Sequence, residues 1–472
     1  MMYPLNSVHL PEGGNAMRIW KKLLAVCCLT AVCCLFAGCS PIQFRLAAPE
    51  ELYSLPSLPA EYTELNNCIK ALLDQGAEYA APVSGANTQS VQLVDLDGDG
   101  REEALAFLRS GSEEKPLKIY IFTPTGEGYE QDMVIEGSGT SFYSVSYRDL
   151  DGDGRMELLV GWKVGTNLQA LTVYALRGDQ AEELLRTNYV KYATAELDPD
   201  REGTELVVLQ ADEEGDGVAD FYTWDRQNGP AVLNRTSSAR LSMNMAELNS
   251  GRVVYGSLKD DVPALFVTGV SDSSVAITDI LVTKEGELTN AVLSDTTGVS
   301  TALFRHQMLF PTDINGDGVT EVPAPSTLPS HGGGADYLIN WRQYSRDGSG
   351  STVCFTYHNN DDGWYLEVPE SWVNRIVATR SQNGTGESAV TFSLRGATEE
   401  EDRDFLRICA ITGDSREIRA ARGDRIILSR QTETIYAAEL LEDNRQWSGG
   451  ISEDELRSRF NLITTEWRAG DN

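Results

Sequence analysis

The sequence feature that most constrains the fold is a nine-residue pattern of acidic residues and glycines, which occurs three times without gaps. The complete copies are residues 95–103, 149–157 and 313–321, and two weaker copies begin at Glu196 and Glu247. The first positions of the five copies, 95, 149, 196, 247 and 313, are 54, 47, 51 and 66 residues apart. A repeat at this spacing indicates a chain of similar supersecondary units, each buried against its neighbours.

The complete copies have the composition of calcium sites. Side-chain oxygens stand at positions 1, 3, 5 and 9, and glycines at positions 4 and 6 let the backbone coil tightly enough for these oxygens to converge. The backbone carbonyl of position 7 adds a further oxygen, so we expect each copy to hold one Ca²⁺. The expected ligands are Asp95, Asp97, Asp99, Arg101 and Glu103; Asp149, Asp151, Asp153, Arg155 and Glu157; and Asp313, Asn315, Asp317, Val319 and Glu321.

An EF-hand is the main alternative, and it requires an acidic residue at position 12. That position is Ala106, Val160 or Ala324, and strand-like segments follow the first two copies. A nine-residue loop that leads into a strand resembles instead the FG-GAP/VCBS repeat of integrin-α-type β-propellers, over about residues 80–350. The resemblance implies a loop that joins two blades and holds a structural Ca²⁺.

The expected fold is mainly β, with a calcium-binding β-propeller followed by a small α+β domain. Five repeats are visible, and a ring of five, six or seven blades would accommodate them. The two weaker copies have lost acids, so they predict a blade but not a calcium site. Residues 212–220 also carry acids at positions 1, 3, 5 and 9, and we interpret them as a solvated hairpin rather than as a further cation site.

A secretory signal precedes the repeats. Basic residues are followed by the apolar residues 23–36, and two small residues stand before Cys39. This ending resembles that of bacterial lipoprotein signals, in which the peptidase cuts before a cysteine that carries diacylglycerol, although Phe36 replaces the preferred leucine. The resemblance implies a signal peptide of residues 1–38, with Met17 as the true start. A transmembrane anchor is the alternative, but about 15 apolar residues are few for a bilayer.

The remaining segments divide the chain further. Proline-rich residues 39–59 predict a tether, residues 60–78 a helix that packs on the propeller, residues 79–363 the propeller itself, and residues 364–472 the α+β domain. A capping box predicts a helix at the C-terminal end. It has an apolar stripe at Leu456, Phe460, Ile463 and Trp467.

Net charge restricts the partners. The chain carries −32, of which residues 39–363 contribute −28. Such a surface repels nucleic acid and anionic membranes, and it favours cations. Contact with a membrane is therefore expected only through the lipid on Cys39, in an extracytoplasmic location.

Two functional hypotheses follow. Metalloprotease, esterase, P-loop and dinucleotide-binding motifs do not occur in the sequence. The first hypothesis is therefore a non-catalytic surface lipoprotein whose calcium-stabilised propeller binds a protein or glycan. The alternative is an extracytoplasmic hydrolase of cell-wall or carbohydrate material, in which acids of a propeller funnel would serve as general acid and base.

Overall fold

Short antiparallel strands joined by tight turns make up most of the regular structure. The computed structural model describes residues 62–463 except 112–113, 127, 167, 179, 226–231, 274, 303–308 and 331–335. These residues belong to one unit, Tyr62–Asn472. The predicted signal segment, the lipidation site Cys39 and the tether lie outside the described residues.

Within the described residues the strands form six separate antiparallel sheets, numbered 1 to 6 along the chain, so the fold is mainly β, as predicted. Strand pairing within the described residues does not close these sheets into a ring. Sheet 1 contains β1 (Ala77–Tyr79), β2 (Val91–Val94), β3 (Glu103–Ser110), β4 (Leu117–Pro124) and β5 (Tyr129–Gly137). Sheet 2 contains β6 (Ser141–Arg148), β7 (Glu157–Lys163), β8 (Gln169–Arg177) and β9 (Gln180–Tyr189). Sheet 3 contains β10 (Lys191–Ala195), β11 (Glu205–Ala211), β12 (Gly217–Asp225) and β13 (Val232–Arg240).

The second half of the chain adds one four-stranded sheet and then two five-stranded sheets. Sheet 4 contains β14 (Arg252–Ser257), β15 (Pro263–Val270), β16 (Ala276–Lys284) and β17 (Glu287–Asn290). Sheet 5 contains β18 (Val322–Thr327), β19 (Tyr337–Tyr344), β20 (Gly350–Asn359), β21 (Trp364–Val368) and, from the C-terminal end of the described chain, β27 (Phe460–Leu462). Sheet 6 has the order β22-β23-β24-β26-β25. Its strands are β22 (Ile376–Asn383), β23 (Glu387–Leu394), β24 (Arg403–Thr412), β25 (Ile426–Arg430) and β26 (Thr434–Leu440).

Helices are few and mostly short. They are α1 (Thr63–Asp74), α2 (Met245–Asn249), α3 (Arg416–Ala420), α4 (Glu442–Gln446) and α5 (Glu453–Arg459). Single 3₁₀ turns occupy Lys259–Asp261, Glu370–Trp372 and Glu399–Glu401. None of the helices in the described residues is both long and apolar enough to span a bilayer.

The sheets pack against one another in chain order because inner strands such as β3, β7 and β11 are largely apolar and buried on both faces. In β7, Leu158 and Trp162 belong to a core shared with sheet 1, whereas Leu159 belongs to a core shared with sheet 3. The alternation of side chains along a strand produces this division. Sheets 3 and 4 share a third core, which contains Val207 and Leu265. Further cores join sheet 4 to sheet 5 and sheet 5 to sheet 6, so every sheet is stabilised by its sequence neighbours.

The predicted N-terminal helix is α1, which lies against sheet 1. Its apolar face is buried at Leu65 and Ile69. Cys68 lies 3.8 Å (Sγ to O) from the carbonyl of Tyr129, and Gly76, with a φ of +96°, ends the helical segment.

The boundary predicted after residue 363 falls within one sheet. The strand β21, which begins at Trp364, pairs with β20 on one side and with β27 on the other. Residues on both sides of the boundary therefore share sheet 5, whose apolar face forms a common core with sheet 6. Cys354 and Cys409, on β20 and β24, are free thiols.

The predicted C-terminal apolar stripe was wrong, and the weak repeat copy at Glu247 does not form a loop like the others. The capping box of Ser452 and Glu455 does begin α5, but the helix ends at Arg459 and Phe460 starts β27 instead of continuing the apolar stripe. The weak repeat copy at Glu247 is the helix α2, because Asn244 accepts hydrogen bonds from the backbone of the first helical turn and Glu247 accepts the N–H of Asn244.

We predict that His358 on β20 limits the acid stability of sheet 5. The ring is 2% exposed, stacks on Tyr365 with centroids 5.1 Å apart, and shares a 2.8 Å hydrogen bond with Thr356. Burial lowers the pKa of His358 to about 3. Between about pH 6.5 and pH 3 only the unfolded chain takes up the proton on this histidine. The free energy of unfolding therefore decreases as the pH is lowered, by at most about 1.4 kcal/mol per pH unit.

The substitution His358→Gln keeps a hydrogen-bonding group and cannot titrate. The free energy of unfolding in urea should therefore fall less steeply between pH 6.5 and pH 4.5 in this variant than in the wild type. Equal slopes for the two proteins would contradict the prediction.

Candidate metal centre

The three complete acidic repeats form hairpin loops at equivalent places in sheets 1, 2 and 5. Val94 pairs with Glu103 and Arg148 with Glu157, so the first two segments each connect two adjacent strands of one sheet. The third segment is closed by an isolated bridge between Thr312 and Glu321, directly before β18 of sheet 5. The FG-GAP resemblance implied that each loop joins one blade to the next, and this expectation is wrong. We call these segments loop 1 (residues 95–103), loop 2 (residues 149–157) and loop 3 (residues 313–321).

The first and fifth positions shape each loop. Asp95 accepts the N–H groups of Gly98 and Gly100 at 2.8 and 3.0 Å, and Asp149 and Asp313 accept the equivalent glycine N–H groups at 2.7 to 2.9 Å. The aspartate at position 5 accepts the N–H of position 7 at 2.8 Å in all three loops. Both glycines of each loop have φ between +72° and +88°, which explains the residue type.

The glutamate at position 9 fixes the base of the loop from within the core. Glu103, Glu157 and Glu321 are 6%, 5% and 0% exposed. In each case Oε2 accepts the N–H of position 2 at 2.9 Å. One oxygen holds the backbone, which leaves the other for a cation, although in Glu321 that second oxygen also accepts the amide of Gln343. The sequence reasoning assigned this residue only to the metal and missed its structural bond.

Each loop brings three carboxylates together, with one oxygen of each lying within 4.8 Å of the others. The groups are Asp95, Asp97 and Asp99; Asp149, Asp151 and Glu157; and Asp313, Asp317 and Glu321. Glu103 and Asp153, although predicted as ligands, are outside these groups of three. Asn315 accepts the N–H of Asp317 through its carbonyl oxygen and donates its amide to the Asp317 carboxylate at 3.0 Å.

The electrostatics of the loops favour a cation. Burial, and then the charges of Asp151, Asp153 and Asp149, raise the pKa of Glu157 to about 7. The pKa of Glu103 and of Glu321 is raised for the same first reason, burial. A buried carboxylate beside other acids is costly unless a positive charge compensates it. Hard oxygen ligands in this number suit Ca²⁺, so the residues present fit the predicted ion.

The contacts of the aspartate at position 5 differ between loop 1 and loop 3. In loop 1 the guanidinium of Arg101 lies 2.6 Å (Nη2 to Oδ2) from Asp99 and competes for that carboxylate. In loop 3 the amide of Gln343 donates to Asp317 at 2.7 Å and to Glu321 at 2.8 Å. Gln343 lies on β19, and no signal in the sequence connects it with the loop.

The weak copy at Glu196 also forms a loop, but the positive charge beside its acids comes from an arginine side chain. Glu205 Oε2 accepts the N–H of Leu197 at 2.8 Å, as in the complete loops. Arg201 Nε lies 3.0 Å from Asp198 Oδ2, and Arg201 Nη1 lies 3.2 Å from the hydroxyl of Thr223. The guanidinium therefore neutralises the acid that a metal would bind in the other copies.

The acidic residues 212–220 form a hairpin, as predicted. Ala211 pairs with Gly217 across the turn. Asp220, which is 1% exposed, accepts a 2.6 Å hydrogen bond from Gln210 and lies 3.3 Å from Arg235. Its charge is thus compensated by protein groups.

Backbone hydrogen bonds link neighbouring loops directly. The carbonyl of Leu96 in loop 1 accepts the N–H of Met156 in loop 2 at 2.9 Å, and the carbonyl of Leu150 accepts the N–H of Thr204 at 3.0 Å. A Cβ on Gly98 would lie 2.5 Å from the carbonyl oxygen of Gly154, which requires glycine there. The loops therefore bridge adjacent sheets by contact rather than by chain connection.

Comparison with known proteins agrees with the repeat. A family model described as an FG-GAP-like repeat matches residues 95–160, which include loops 1 and 2. No curated protein sequence matches the chain. Two solved structures resemble it at a TM-score of 0.25 and 13% identity, and that level of similarity carries no argument about function. They are the rhamnogalacturonan lyase YesW (67% of this chain, 73% of that chain) and a rhamnogalacturonan lyase of Bacillus licheniformis (68% and 70%).

We predict opposite effects of Glu157→Gln with and without calcium. Glutamine can still accept the Leu150 N–H, but it removes a charge from the ligand set. In chelator the variant should be more stable than the wild type by about 1–3 kcal/mol, because a buried uncompensated charge is gone. In calcium it should be less stable, because loop 2 binds the ion more weakly.

The free energy of unfolding is measured with denaturant at about pH 8, once in about 5 mM calcium and once in chelator. The exposed Glu433→Gln, directly before β26, removes the same charge from sheet 6, which carries none of the three loops, and should change neither value by more than about 0.5 kcal/mol. The same sign of change in both buffers for Glu157→Gln would rule out a cation in loop 2.

Proposed function

We propose that the chain is a non-catalytic, extracytoplasmic lipoprotein, in which a calcium-stiffened β-propeller of FG-GAP type presents a binding surface. The observation that carries the proposal is the shared geometry of loops 1, 2 and 3. In all three, acids converge at one end of a sheet above a buried glutamate that is bonded to the loop backbone.

The sheet arrangement supports the propeller. Sheets 1 to 5 succeed one another as antiparallel meanders, each with an apolar core shared with the next. Four-stranded meanders packed face to face are the blades of a propeller. Contacts between successive first strands, such as the 3.0 Å bond between the hydroxyls of Ser146 and Tyr192, are consistent with an inner ring of strands. On this proposal sheets 1 to 5 are the five visible blades.

Calcium is the ion that we propose for the loops. Carboxylate and carbonyl oxygens are hard ligands and disfavour zinc or copper, and Mg²⁺ would resist giving up enough water for so many protein oxygens. Extracellular modules bind Ca²⁺ with dissociation constants of about 10⁻⁴–10⁻³ M, which suits calcium outside a cell. The role is structural, since each loop closes a turn at the edge of its own sheet and is hydrogen-bonded to an adjacent sheet.

Among the described residues, the buried acids outside the loops support a binding role rather than hydrolysis. Hydrolysis of a glycosidic bond requires two accessible carboxyl groups about 5–9 Å apart. The buried acids outside the loops are engaged in structural contacts: Asp220 with Arg235 and Gln210, and Asp279 with the hydroxyl and N–H of Ser242 at 2.6 and 2.7 Å. They therefore serve the packing of the sheets.

The direct test of the calcium role is thermal unfolding of the whole protein in calcium and in chelator. Binding to the folded state alone stabilises it by about 2.7 kcal/mol per site at a hundredfold excess of free ion over the dissociation constant. We expect a higher melting temperature in calcium and about three ions per chain by elemental analysis. Loop 3, in which Asn315 replaces an acid, should release its ion first. An unchanged melting temperature with no bound calcium would refute the structural role.

The membrane attachment is tested at Cys39. We expect mass spectrometry of the mature protein to find an N-terminal diacylated Cys39, because small residues and a cysteine follow a short apolar segment. The variant Cys39→Ser should remain unprocessed at this bond. If it is still cleaved there and still attached to membranes, the lipoprotein assignment is wrong.

A further inference from the structure

We propose that a cavity between sheets 4 and 5 binds an acidic sugar residue, an inference that rests on the proposed binding function and names its ligand class. The cavity has a volume of about 300 Å³, room for one ring-sized group rather than a large ligand. Among its lining residues are Arg252, Tyr255, Phe310, Thr312, Thr320 and Trp341. Loop 3 also contributes to the wall through Asp313.

Aromatic rings give the cavity surfaces suited to the apolar C–H face of a pyranose. Tyr255 is 53% exposed, an unusual exposure for so large a side chain on a strand. Its hydroxyl donates to the carbonyl of Glu196 at 3.2 Å, which fixes the ring before any ligand arrives. Phe310 lies nearby and is partly buried against the core of sheets 4 and 5. Rigid aromatic surfaces combined with a few polar groups are typical of small-molecule sites.

The polar groups of the cavity match a sugar acid. The guanidinium of Arg252 lies 5.8 Å from the centroid of the Phe310 ring, so charge and aromatic surface are adjacent. A guanidinium has five N–H donors and can hold a carboxylate while it serves other acceptors. The hydroxyls of Thr312 and Thr320 can pair with sugar hydroxyls. A peptide carboxylate would use the arginine but not this combination of hydroxyls and ring faces.

Calcium in loop 3 should strengthen binding of this ligand. Thr312 and Glu321 exchange two 3.0 Å backbone hydrogen bonds at the base of the loop, and the N–H of Thr320 donates to the carbonyl of Ser257 on β14 at 2.8 Å. The wall of the cavity is thus part of the metal loop. An ion bound to Asp313 would also offset a negative charge that otherwise repels a carboxylate.

The test uses isothermal titration of the full mature chain with D-glucuronate, and with D-glucose as the neutral probe. With calcium present, glucuronate should bind at least about tenfold more tightly than glucose, the factor that about 1.4 kcal/mol of differential interaction provides. Arg252→Gln should remove this preference. Arg177→Gln removes the same charge from sheet 2 and should leave it unchanged. Tyr255→Ala, at an exposed position, should weaken both sugars and gives a second variant if Arg252→Gln does not fold.

Several outcomes would overturn the assignment. Equal affinities for the two sugars, or wild-type preference in Arg252→Gln, would remove the arginine from the site. Tighter binding of N-acetyl-aspartate than of glucuronate would assign the cavity to a peptide carboxylate. Elemental analysis of the same samples separates the two proposals: bound calcium without glucuronate binding contradicts only the ligand, whereas absence of calcium contradicts the calcium-stiffened scaffold.

Discussion

The hydrogen bond between the buried glutamate at position 9 and the backbone of position 2 is the interaction on which the loops depend. It occurs at 2.8 to 2.9 Å in four loops, including the loop before Glu205, where the glutamate stands one residue later in the loop. The glutamate stands at or directly before the start of the strand that follows the loop, so the bond fixes where the loop ends and the core begins. Removal of the carboxylate from water is costly, and the N–H and a nearby cation offset that cost.

This constraint explains how the sheets acquire their order. The residue at position 2 is apolar and lies in the core, while its carbonyl accepts a hydrogen bond from the next sheet, as Leu96 and Leu150 do. A loop held at its base by glutamate therefore presents a fixed carbonyl to its neighbour. Packing of the second strands adds the apolar contribution on both faces, and the sheets follow one another along the chain.

The sequence predicted the parts that depend on local pattern. Acids and glycines at fixed spacing placed the three loops, and the strand-like segments predicted after the first two copies are β3 and β7. It could not predict Gln343, which reaches Asp317 and Glu321 from another strand, because that contact depends on tertiary structure. Phe460 was misplaced because its helical spacing from Leu456 also suits a strand, and pairing with Leu366 on β21 decided the outcome.

The loop that contains Asp198 shows how a side chain can compensate the charge of the loop acids. There Arg201 lies against the acid, and the loop retains its glutamate bond and its link to the carbonyl of Leu150. A fixed guanidinium and a bound cation thus provide the same compensation of charge, the first by sequence and the second from solution. The guanidinium is always present, whereas the fraction of loops that hold an ion depends on the concentration of that ion. Loops that compensate their acids with an ion would make the rigidity of their sheets depend on the surroundings of the protein.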